Sequence, residues 1–308
     1  MQLKLQITMS SRLHLLLIFI FLTFSQTDAL RGWRTSELEK NSEVYSMKSA
    51  TVQGAGYTSL QGNMTTHLEN MTASVVNGDN AFAGQYPYFV ALFLQYSSSK
   101  FAFYCGGTLI HKKWILTAAH CIQNNYSYRA VIGLYSTSSS TNSGQTKIVR
   151  TISANNIYKH PNFDSNTLEY DFALIRIDAV TEIKPANLDN GKLQNSNLYE
   201  ITGFGSTGTS GSGPTPDILQ KGVVYPISVN ECGQRWGFKI NSNLQMCASG
   251  YGKQDVCKGD SGGPLIKDNT LVGVVSYGYM PCNLADGPPV VYGKLTVAQN
   301  WIQSMINR

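Results

Sequence analysis

Residues 107–121 read Gly-Thr-Leu-Ile-His-Lys-Lys-Trp-Ile-Leu-Thr-Ala-Ala-His-Cys. Two short apolar runs, Gly107–Ile110 and Trp114–Thr117, flank a polar turn, and this pattern predicts two neighbouring β-strands. Similar runs separated by turn residues fill the chain from Val75 onward. They predict further strands at Tyr88–Gln95, Lys147–Ile152, Phe172–Ile177, Glu200–Gly203 and Leu271–Tyr277. Because only the tail, from about Thr296, has helical spacing, the sequence predicts an all-β barrel or sandwich with a C-terminal helix.

The composition agrees with this fold class. The 308 residues include 28 glycines, and 14% of the chain is charged, as in a loop-rich β protein rather than a helical bundle or a disordered chain. The net charge of +5 comes without any block of like charges, so the sequence gives no reason to expect a nucleic-acid partner.

Residues 1–29 have the features of a signal peptide. Lys4 and Arg12 precede an apolar run from Leu15 to Phe24, and the small residues that follow predict cleavage after Ala29. A retained membrane anchor is the alternative, but the run has about half the length that a spanning helix needs. We therefore expect a secreted, extracellular protein without a membrane partner.

Residues 30–74 are rich in Ser, Thr, Asn and Gly and contain neither Cys nor Pro. This composition predicts a poorly ordered propeptide that precedes the main domain, residues 75–308. Sequons of the Asn-X-Ser/Thr type predict glycosylation at Asn63, Asn70 and Asn125.

All six cysteines lie in the main domain. Secretion exposes them to an oxidising compartment, where we expect three disulfides, although spacing alone allows several pairings. None of the cysteines has the CxxC spacing of a zinc site, and no Asp-rich run indicates a calcium loop. The sequence therefore predicts no metal and no other cofactor.

The string Gly259-Asp-Ser-Gly-Gly-Pro264 is the strongest chemical signal in the chain. Serine is a poor nucleophile unless a base lies beside it, and its reaction also needs N–H groups directed at the developing oxyanion. Glycines on both sides of Ser261 allow a turn tight enough to bring such amides close. The alternative interpretation is a glycine-rich turn that carries a surface serine.

Two further motifs supply a candidate base and a candidate acid. His120 follows a predicted strand and precedes a cysteine that could hold its loop, whereas His111 and His160 are interpreted as surface residues. Asp171, in Tyr170-Asp-Phe-Ala-Leu-Ile, is the candidate for a carboxylate that orients the histidine and stabilises its protonated form. An Asp before an apolar strand could also be a simple turn residue.

Together these motifs resemble those of the chymotrypsin/trypsin family of serine peptidases, in which the catalytic His, Asp and Ser occur in this order. The resemblance extends from Val75 to Arg308. The other matching segments are Val75-Val-Asn-Gly, Cys105-Gly-Gly-Thr-Leu-Ile, Trp114-Ile-Leu-Thr-Ala-Ala-His-Cys, Gly203-Phe-Gly and Ser276-Tyr-Gly.

The resemblance implies two six-stranded antiparallel β-barrels with the active site between them. It implies that His120, Asp171 and Ser261 form the catalytic triad, and that the amides of Gly259 and Ser261 form the oxyanion hole. The disulfides that it implies are Cys105–Cys121, Cys232–Cys247 and Cys257–Cys282.

The activation site departs from the family pattern. Most members have Arg or Lys before the mature N-terminus, whereas this chain has Ser74. The resemblance implies that cleavage there frees the amino group of Val75 to pair with Asp260. We therefore expect an activating peptidase that prefers small residues. The other expected partners are protein or peptide substrates and protein inhibitors, and the expected state is a monomer.

The specificity pocket also departs from the pattern. Asp255 matches the position whose carboxylate gives trypsins their preference for Arg and Lys, and Gly278 matches one glycine of the pocket wall. The second wall position falls on Val290, whose β-branched side chain should narrow the pocket. We expect cleavage after Arg or Lys with weakened catalysis. The alternatives are a non-tryptic specificity set by Val290 and a solvated loop position for Asp255.

The sequence thus predicts a secreted serine endopeptidase, made as a zymogen and acting through an acyl-enzyme. Ser74 and Val290 keep open a catalytically weak or silent homologue that serves as a binding module. An esterase or lipase is a weaker alternative, because the chain order His, Asp, Ser is not that of the α/β-hydrolases.

Overall fold

A computed structural model describes residues 75–137, 147–178, 181–191 and 197–308. The predicted signal peptide and propeptide lie outside these residues, and so do Asn63, Asn70 and Ser74. No helix within the described ranges combines the length and the apolar content needed to cross a bilayer.

The described chain is mostly β-structure. In chain order, the strands are β1 Asp79–Asn80, β2 Phe89–Gln95, β3 Phe101–His111, β4 Trp114–Thr117, β5 Tyr128–Ile132, β6 Ile148–Ile152, β7 Ile157–Lys159, β8 Ala173–Arg176, β9 Asn187–Leu188, β10 Tyr199–Gly203, β11 Gln220–Ile227, β12 Gln245–Ser249, β13 Pro264–Lys267, β14 Thr270–Tyr277 and β15 Val290–Lys294. The α-helices are α1 Val229–Trp236 and α2 Leu295–Ile306. Short 3₁₀ turns span Ala119–Cys121 and Ala154–Asn156.

The N-terminal half forms one antiparallel sheet that curls into a half-barrel. Its strand order is β6-β5-β2-β3-β4-β8-β7. Apolar residues fill the central strands, and β4 is buried along its whole length. The concave side of this sheet therefore encloses the larger hydrophobic core of the molecule.

The C-terminal half forms a closed barrel. The order β11-β10-β13-β14-β15-β12 returns to β11 through an antiparallel pairing in which Ile227 faces Cys247. Strand β1 extends this sheet beside β11, and β9 pairs in parallel with β14. The predicted all-β fold with two barrel-like halves and a C-terminal helix is confirmed.

Helix α1 corrects the prediction that only the tail is helical. Ser228 caps its N-terminus by accepting a hydrogen bond from Glu231 N–H at 3.2 Å. Gly237, with φ +73°, ends the helix in the left-handed conformation that glycine adopts without strain. Val229, Cys232 and Trp236 have helical spacing, but the helix is only eight residues long, so this apolar pattern was too short to stand out in the sequence.

The two halves meet along a line of aromatic and glycine residues. The ring of Phe204, just after β10, lies 5.8 Å from that of Phe89 and 6.1 Å from that of Phe103. A Cβ atom at Gly106 would lie 2.9 Å from Gly263 Cα, so the backbones of the two halves are in direct contact there. The predicted catalytic residues lie on both sides of this contact.

Candidate active site

His120 lies in the 3₁₀ turn that follows β4. The disulfide Cys105–Cys121 fastens this turn to β3. The imidazole Nδ1 is 2.7 Å from Asp171 Oδ2, and the backbone N–H of His120 donates to Asp171 Oδ1 at 2.9 Å. Asp171 therefore fixes both the position of His120 and the orientation of its ring.

Asp171 is buried at a sharp turn just before β8. Tyr170 has φ +51°, and its carbonyl accepts a hydrogen bond from Phe172 N–H at 2.7 Å. Because an ionised carboxylate only accepts hydrogen bonds, the proton of a neutral His120 ring lies on Nδ1. That tautomer leaves the lone pair of Nε2 available as a base.

Ser276 gives Asp171 a third hydrogen bond, which the sequence analysis did not predict. Its Oγ donates to Asp171 Oδ2 at 2.6 Å. Ser276 is the extra residue of a β-bulge, because the β14–β15 register shifts between Val275 and Tyr277. Bulges of this kind often redirect a side chain next to an active site.

Ser261 lies on a tight turn that packs against the His120 segment. Its carbonyl accepts a hydrogen bond from Gly106 N–H at 2.8 Å. Gly262 has φ +76°, and a Cβ atom there would overlap Thr117 Oγ1, so only glycine fits. The turn therefore brings Ser261 beside the strand end that leads into His120.

Two backbone amides at this turn have no acceptor among the described residues. They belong to Gly259 and Ser261. Gly259 has φ +101°, a conformation that residues with a side chain rarely adopt. Two free N–H groups beside a serine hydroxyl are the elements of an oxyanion site.

Asp260 points away from these amides into the interior. Its carboxylate accepts hydrogen bonds from Gly205 N–H at 2.8 Å and from Cys257 N–H at 2.9 Å. Burial raises the pKa of this carboxyl to about 6. A Cβ atom at Gly203 would overlap the carboxylate, so the glycine is needed for this close approach.

Asp255 and Val290 lie in the closed barrel. Asp255 is 4% exposed and accepts hydrogen bonds from Val256 N–H at 2.9 Å and Gly250 N–H at 3.3 Å. Burial raises its pKa to about 7, so its interpretation as a solvated loop residue is wrong. Val290 is buried, and its Cγ2 lies 3.3 Å from the position of a Cβ atom at Gly278. The valine therefore occupies the face that Gly278 leaves open.

The three disulfides pair as the resemblance implies: Cys105–Cys121, Cys232–Cys247 and Cys257–Cys282. Cys105, His120 and Cys121 bring their potential metal-binding atoms within 4.8 Å of one another. Both sulfurs of that group are in a disulfide, so it lacks the thiolates that would bind a metal.

The structure corrects the prediction that His160 is a surface residue. It is 7% exposed, and its ring stacks on that of Tyr170 with centroids 4.7 Å apart. Trp301 of α2 covers it edge-on at 4.8 Å. Burial lowers the pKa of His160, so the neutral ring is favoured there. Asn125, in contrast, is exposed in a turn, where a glycan would have room.

Comparisons with known proteins support a family assignment. A family model described as Trypsin matches residues 75–302. The chain is 30% identical over 263 residues to chymotrypsin-like elastase family member 1 of Canis lupus familiaris, and the match covers 80% of this chain and 98% of that protein. The Rattus norvegicus protein of the same name is also 30% identical over 263 residues, which cover 80% of this chain and 95% of that protein.

Proposed function

Because this chain belongs to the trypsin family of serine endopeptidases, we propose that it is a secreted zymogen that hydrolyses peptide bonds through an acyl-enzyme. We assign the peptidase domain to residues 75–308 and the catalytic triad to His120, Asp171 and Ser261. The observation that carries this assignment is the hydrogen bonding of Asp171 to His120, with the Ser261 turn packed against the same strand end.

The proposed reaction has two steps. Ser261 Oγ attacks the scissile carbonyl carbon, and its proton passes to His120 Nε2. The tetrahedral intermediate breaks its C–N bond as His120 returns that proton to the leaving nitrogen. Water then attacks the acyl-enzyme ester, with His120 again as base, and releases the acid and free Ser261.

Charge develops at two places during this reaction. The amides of Gly259 and Ser261 would stabilise the oxyanion, and Asp171 would stabilise the protonated His120. Ser276 supports the second role, because its hydroxyl holds Asp171 Oδ2 toward the histidine.

We propose activation by cleavage between Ser74 and Val75. The buried Val75 has φ +49°, which for a β-branched residue costs roughly 1–3 kcal/mol. Cleavage frees Val75 from the preceding peptide group and so relieves the constraint on its φ angle. Among the described residues, no Lys, Arg or His side chain pairs with Asp260. The new ammonium group of Val75 would supply such a charge.

The first candidate specificity is for Arg or Lys, with low efficiency. A carboxylate at Asp255 would pair with either cation at the end of the pocket. Two observations favour short aliphatic residues as a second candidate. Val290 fills the open face beside Gly278, and the raised pKa of Asp255 weakens its charge near neutral pH. The matched relatives are also named as elastases.

The specificity test uses protein that begins at Val75, with Ser261→Ala as the inactive control. Peptides that differ only in the residue before the scissile bond, Arg or Ala, are compared in the parent and in Val290→Gly. Slow cleavage after Arg that accelerates in the variant supports the first candidate. Cleavage after Ala by the parent, shifting to Arg in the variant, supports the second.

An absence of cleavage by folded parent protein, with no labelling of Ser261 by a fluorophosphonate, would instead support the silent homologue. Secretion and glycosylation have their own test, which is expression of the full chain in a eukaryotic cell. We expect the protein in the medium, and we expect Asn125→Gln to remove one glycan from its mass.

A further inference from the structure

A glycine-rich loop lies beside the candidate oxyanion site. We call residues Ser206–Pro214 the neck loop, because its two ends meet closely. Thr207 N–H donates to Pro214 O at 3.2 Å, and the Thr207 hydroxyl donates to the same carbonyl at 3.1 Å. A Cβ atom at Gly213 would overlap the backbone nitrogen of Gly208, so these two segments are in backbone contact.

The hydroxyl of Ser206 lies inside the neck loop and holds its two ends together. It is buried and accepts hydrogen bonds from Gly213 N–H at 2.8 Å and from Gly208 N–H at 3.3 Å. The carbonyls of these two glycines lie within 3.4 Å of the hydroxyl, which can donate to either. Within the described part of the chain, this side chain therefore forms hydrogen bonds only with its own loop.

The neck loop also rests on the segments that frame the candidate pocket. Thr209 O accepts a hydrogen bond from Cys282 N–H at 2.7 Å. A Cβ atom at Gly211 would lie 2.5 Å from Met280 Cε and 3.5 Å from Lys258 Cβ. These contacts anchor the loop to the Cys257–Cys282 disulfide region, so its position relative to Lys258 is fixed.

The contact that matters for catalysis is made by the backbone of Ser206. Its N–H donates to Lys258 O at 2.7 Å. In a planar trans peptide, the C=O of one residue and the N–H of the next point in opposite directions. Holding the Lys258 carbonyl toward Ser206 therefore turns the Gly259 N–H away from the neck loop, and this N–H has no acceptor among the described residues. Gly259, with φ +101°, has no side chain that would hinder rotation of this peptide.

We propose that Ser206 is a positioning residue, which orients the Gly259 amide of the oxyanion hole by holding the neck loop against Lys258. This inference rests on the proposed serine peptidase function. Ser206 does not touch the reacting atoms. Its hydroxyl holds the two ends of the neck loop together, and the loop in turn places the Ser206 N–H against the Lys258 carbonyl.

The test compares Ser206→Ala with Ser212→Ala in enzyme that begins at Val75. Ser212 is an exposed residue of the same loop, and among the described residues its hydroxyl forms a hydrogen bond only with that of Ser210. Each protein is assayed for kcat and KM, for affinity toward a peptide aldehyde, and for affinity toward the matching peptide acid. The aldehyde forms a tetrahedral adduct that uses the oxyanion hole.

Ser206→Ala is expected to lower kcat about tenfold with little change in KM, since misorienting one amide loses part of the 10²- to 10³-fold effect of removing an oxyanion donor. Aldehyde affinity should fall in parallel, and peptide acid affinity should change less than twofold. Ser206→Thr keeps the hydroxyl and should recover most of the lost activity. Ser212→Ala should match the parent.

A Ser206→Ala enzyme with parental kcat and aldehyde affinity would overturn the inference, as would equal losses for the aldehyde and the acid. If Ser206→Ala fails to fold, Thr207→Ala is used instead, because it removes one hydrogen bond of the neck loop. It should lower kcat and aldehyde affinity by a smaller factor and leave peptide acid affinity unchanged. An unchanged kcat in Thr207→Ala would also overturn the inference. A parent enzyme that neither cleaves peptides nor reacts with a fluorophosphonate would refute the proposed function itself.

Discussion

Asp171 accepts hydrogen bonds from the ring and the backbone of His120 and from Ser276. A substitution of Ser276 can remove its hydrogen bond to Asp171 while leaving His120 unchanged. A hydrogen bond to a charged group contributes about 1.5–3 kcal/mol of stabilisation. Part of this stabilisation is present only while His120 is protonated during the reaction.

Ser276→Ala should therefore lower kcat about tenfold while KM changes little. Steady-state kinetics of protein that begins at Val75 measure this, with Ser304→Ala on the exposed side of α2 as the control. An unchanged kcat would mean that the two contacts from His120 are enough to hold Asp171.

The buried carboxyl of Asp255 should make the stability of the protein depend on pH. Its pKa rises from 3.8 to about 7 on folding because of burial. Between these values the unfolded chain loses a proton that the folded chain keeps, so stability falls as pH rises from about 4 to about 7. Below this window the carboxyl is protonated in both states and does not change the free energy of unfolding. Above the window the free energy of unfolding is lower by about 4 kcal/mol.

The Asp255→Asn variant should lose this contribution. In a Ser261→Ala background, which prevents self-digestion, urea unfolding at pH 4 and pH 7 should show a smaller fall in stability for the variant than for its parent. Exposed Asp268→Asn should keep the parental profile. Equal profiles for Asp255→Asn and the parent would contradict a buried, protonated carboxyl.

Local motifs at the residue scale predicted His120, Asp171 and Ser261 as site candidates, because each lies in a short segment with its own chemical signature. The bond from Ser276 to Asp171 joins residues 105 positions apart and depends on a bulge, so no local pattern indicates it. The interpretation of His160 failed for the same reason. Its cover comes from Tyr170 and from Trp301, which is distant in sequence.

At the scale of elements, α2 closes the core of the N-terminal sheet. Leu295, Ala298, Ile302 and Met305 are buried in the same cluster as the central strands. A helix from about Thr296 was predicted, and the observed helix begins at Leu295. Val297 and Trp301 also pack against this core but are only partly buried.

Ile302→Ala should lower the free energy of unfolding by about 2–5 kcal/mol, because it leaves a cavity under the helix. Denaturant unfolding in the Ser261→Ala background measures the loss, and the exposed Gln303→Ala is the matched control. A change below about 1 kcal/mol would mean that the helix is not needed to close this core.

Strand length alone did not decide which elements the sequence could predict. Long or strongly apolar runs such as β2, β4 and β14 were predicted nearly at their observed bounds. The sequence analysis missed eight strands, which are β1 and β9 with two residues each, β5, β7, β12, β13 and β15, and the eight-residue β11, which contains Gly222 and Pro226. Helix α1 had a usable signal in Ser228 and Glu231, a capping pair followed by Gly237.

At the scale of the whole molecule, the proposed activation joins the new N-terminus to the oxyanion turn through Asp260. If activation occurs at this junction, Ser74 should make the precursor resistant to peptidases that cut after basic residues. Ser74→Arg should allow trypsin to generate full activity from the full-length protein, whereas the parent treated in the same way should gain little.

N-terminal sequencing of the activated variant should give Val75 as the first residue. A control variant, Ser74→Ala, should respond to trypsin as the parent does. Full activity in the untreated full-length parent would contradict the zymogen proposal.

The central claim is that Ser261, activated by His120, performs peptide hydrolysis. The most direct measurement treats protein that begins at Val75 with a fluorophosphonate and follows the mass of each peptide together with cleavage of casein. We predict one label per chain, located on Ser261, with cleavage lost as labelling proceeds and absent from Ser261→Ala. A label elsewhere, or casein cleavage that persists in Ser261→Ala, would contradict the claim.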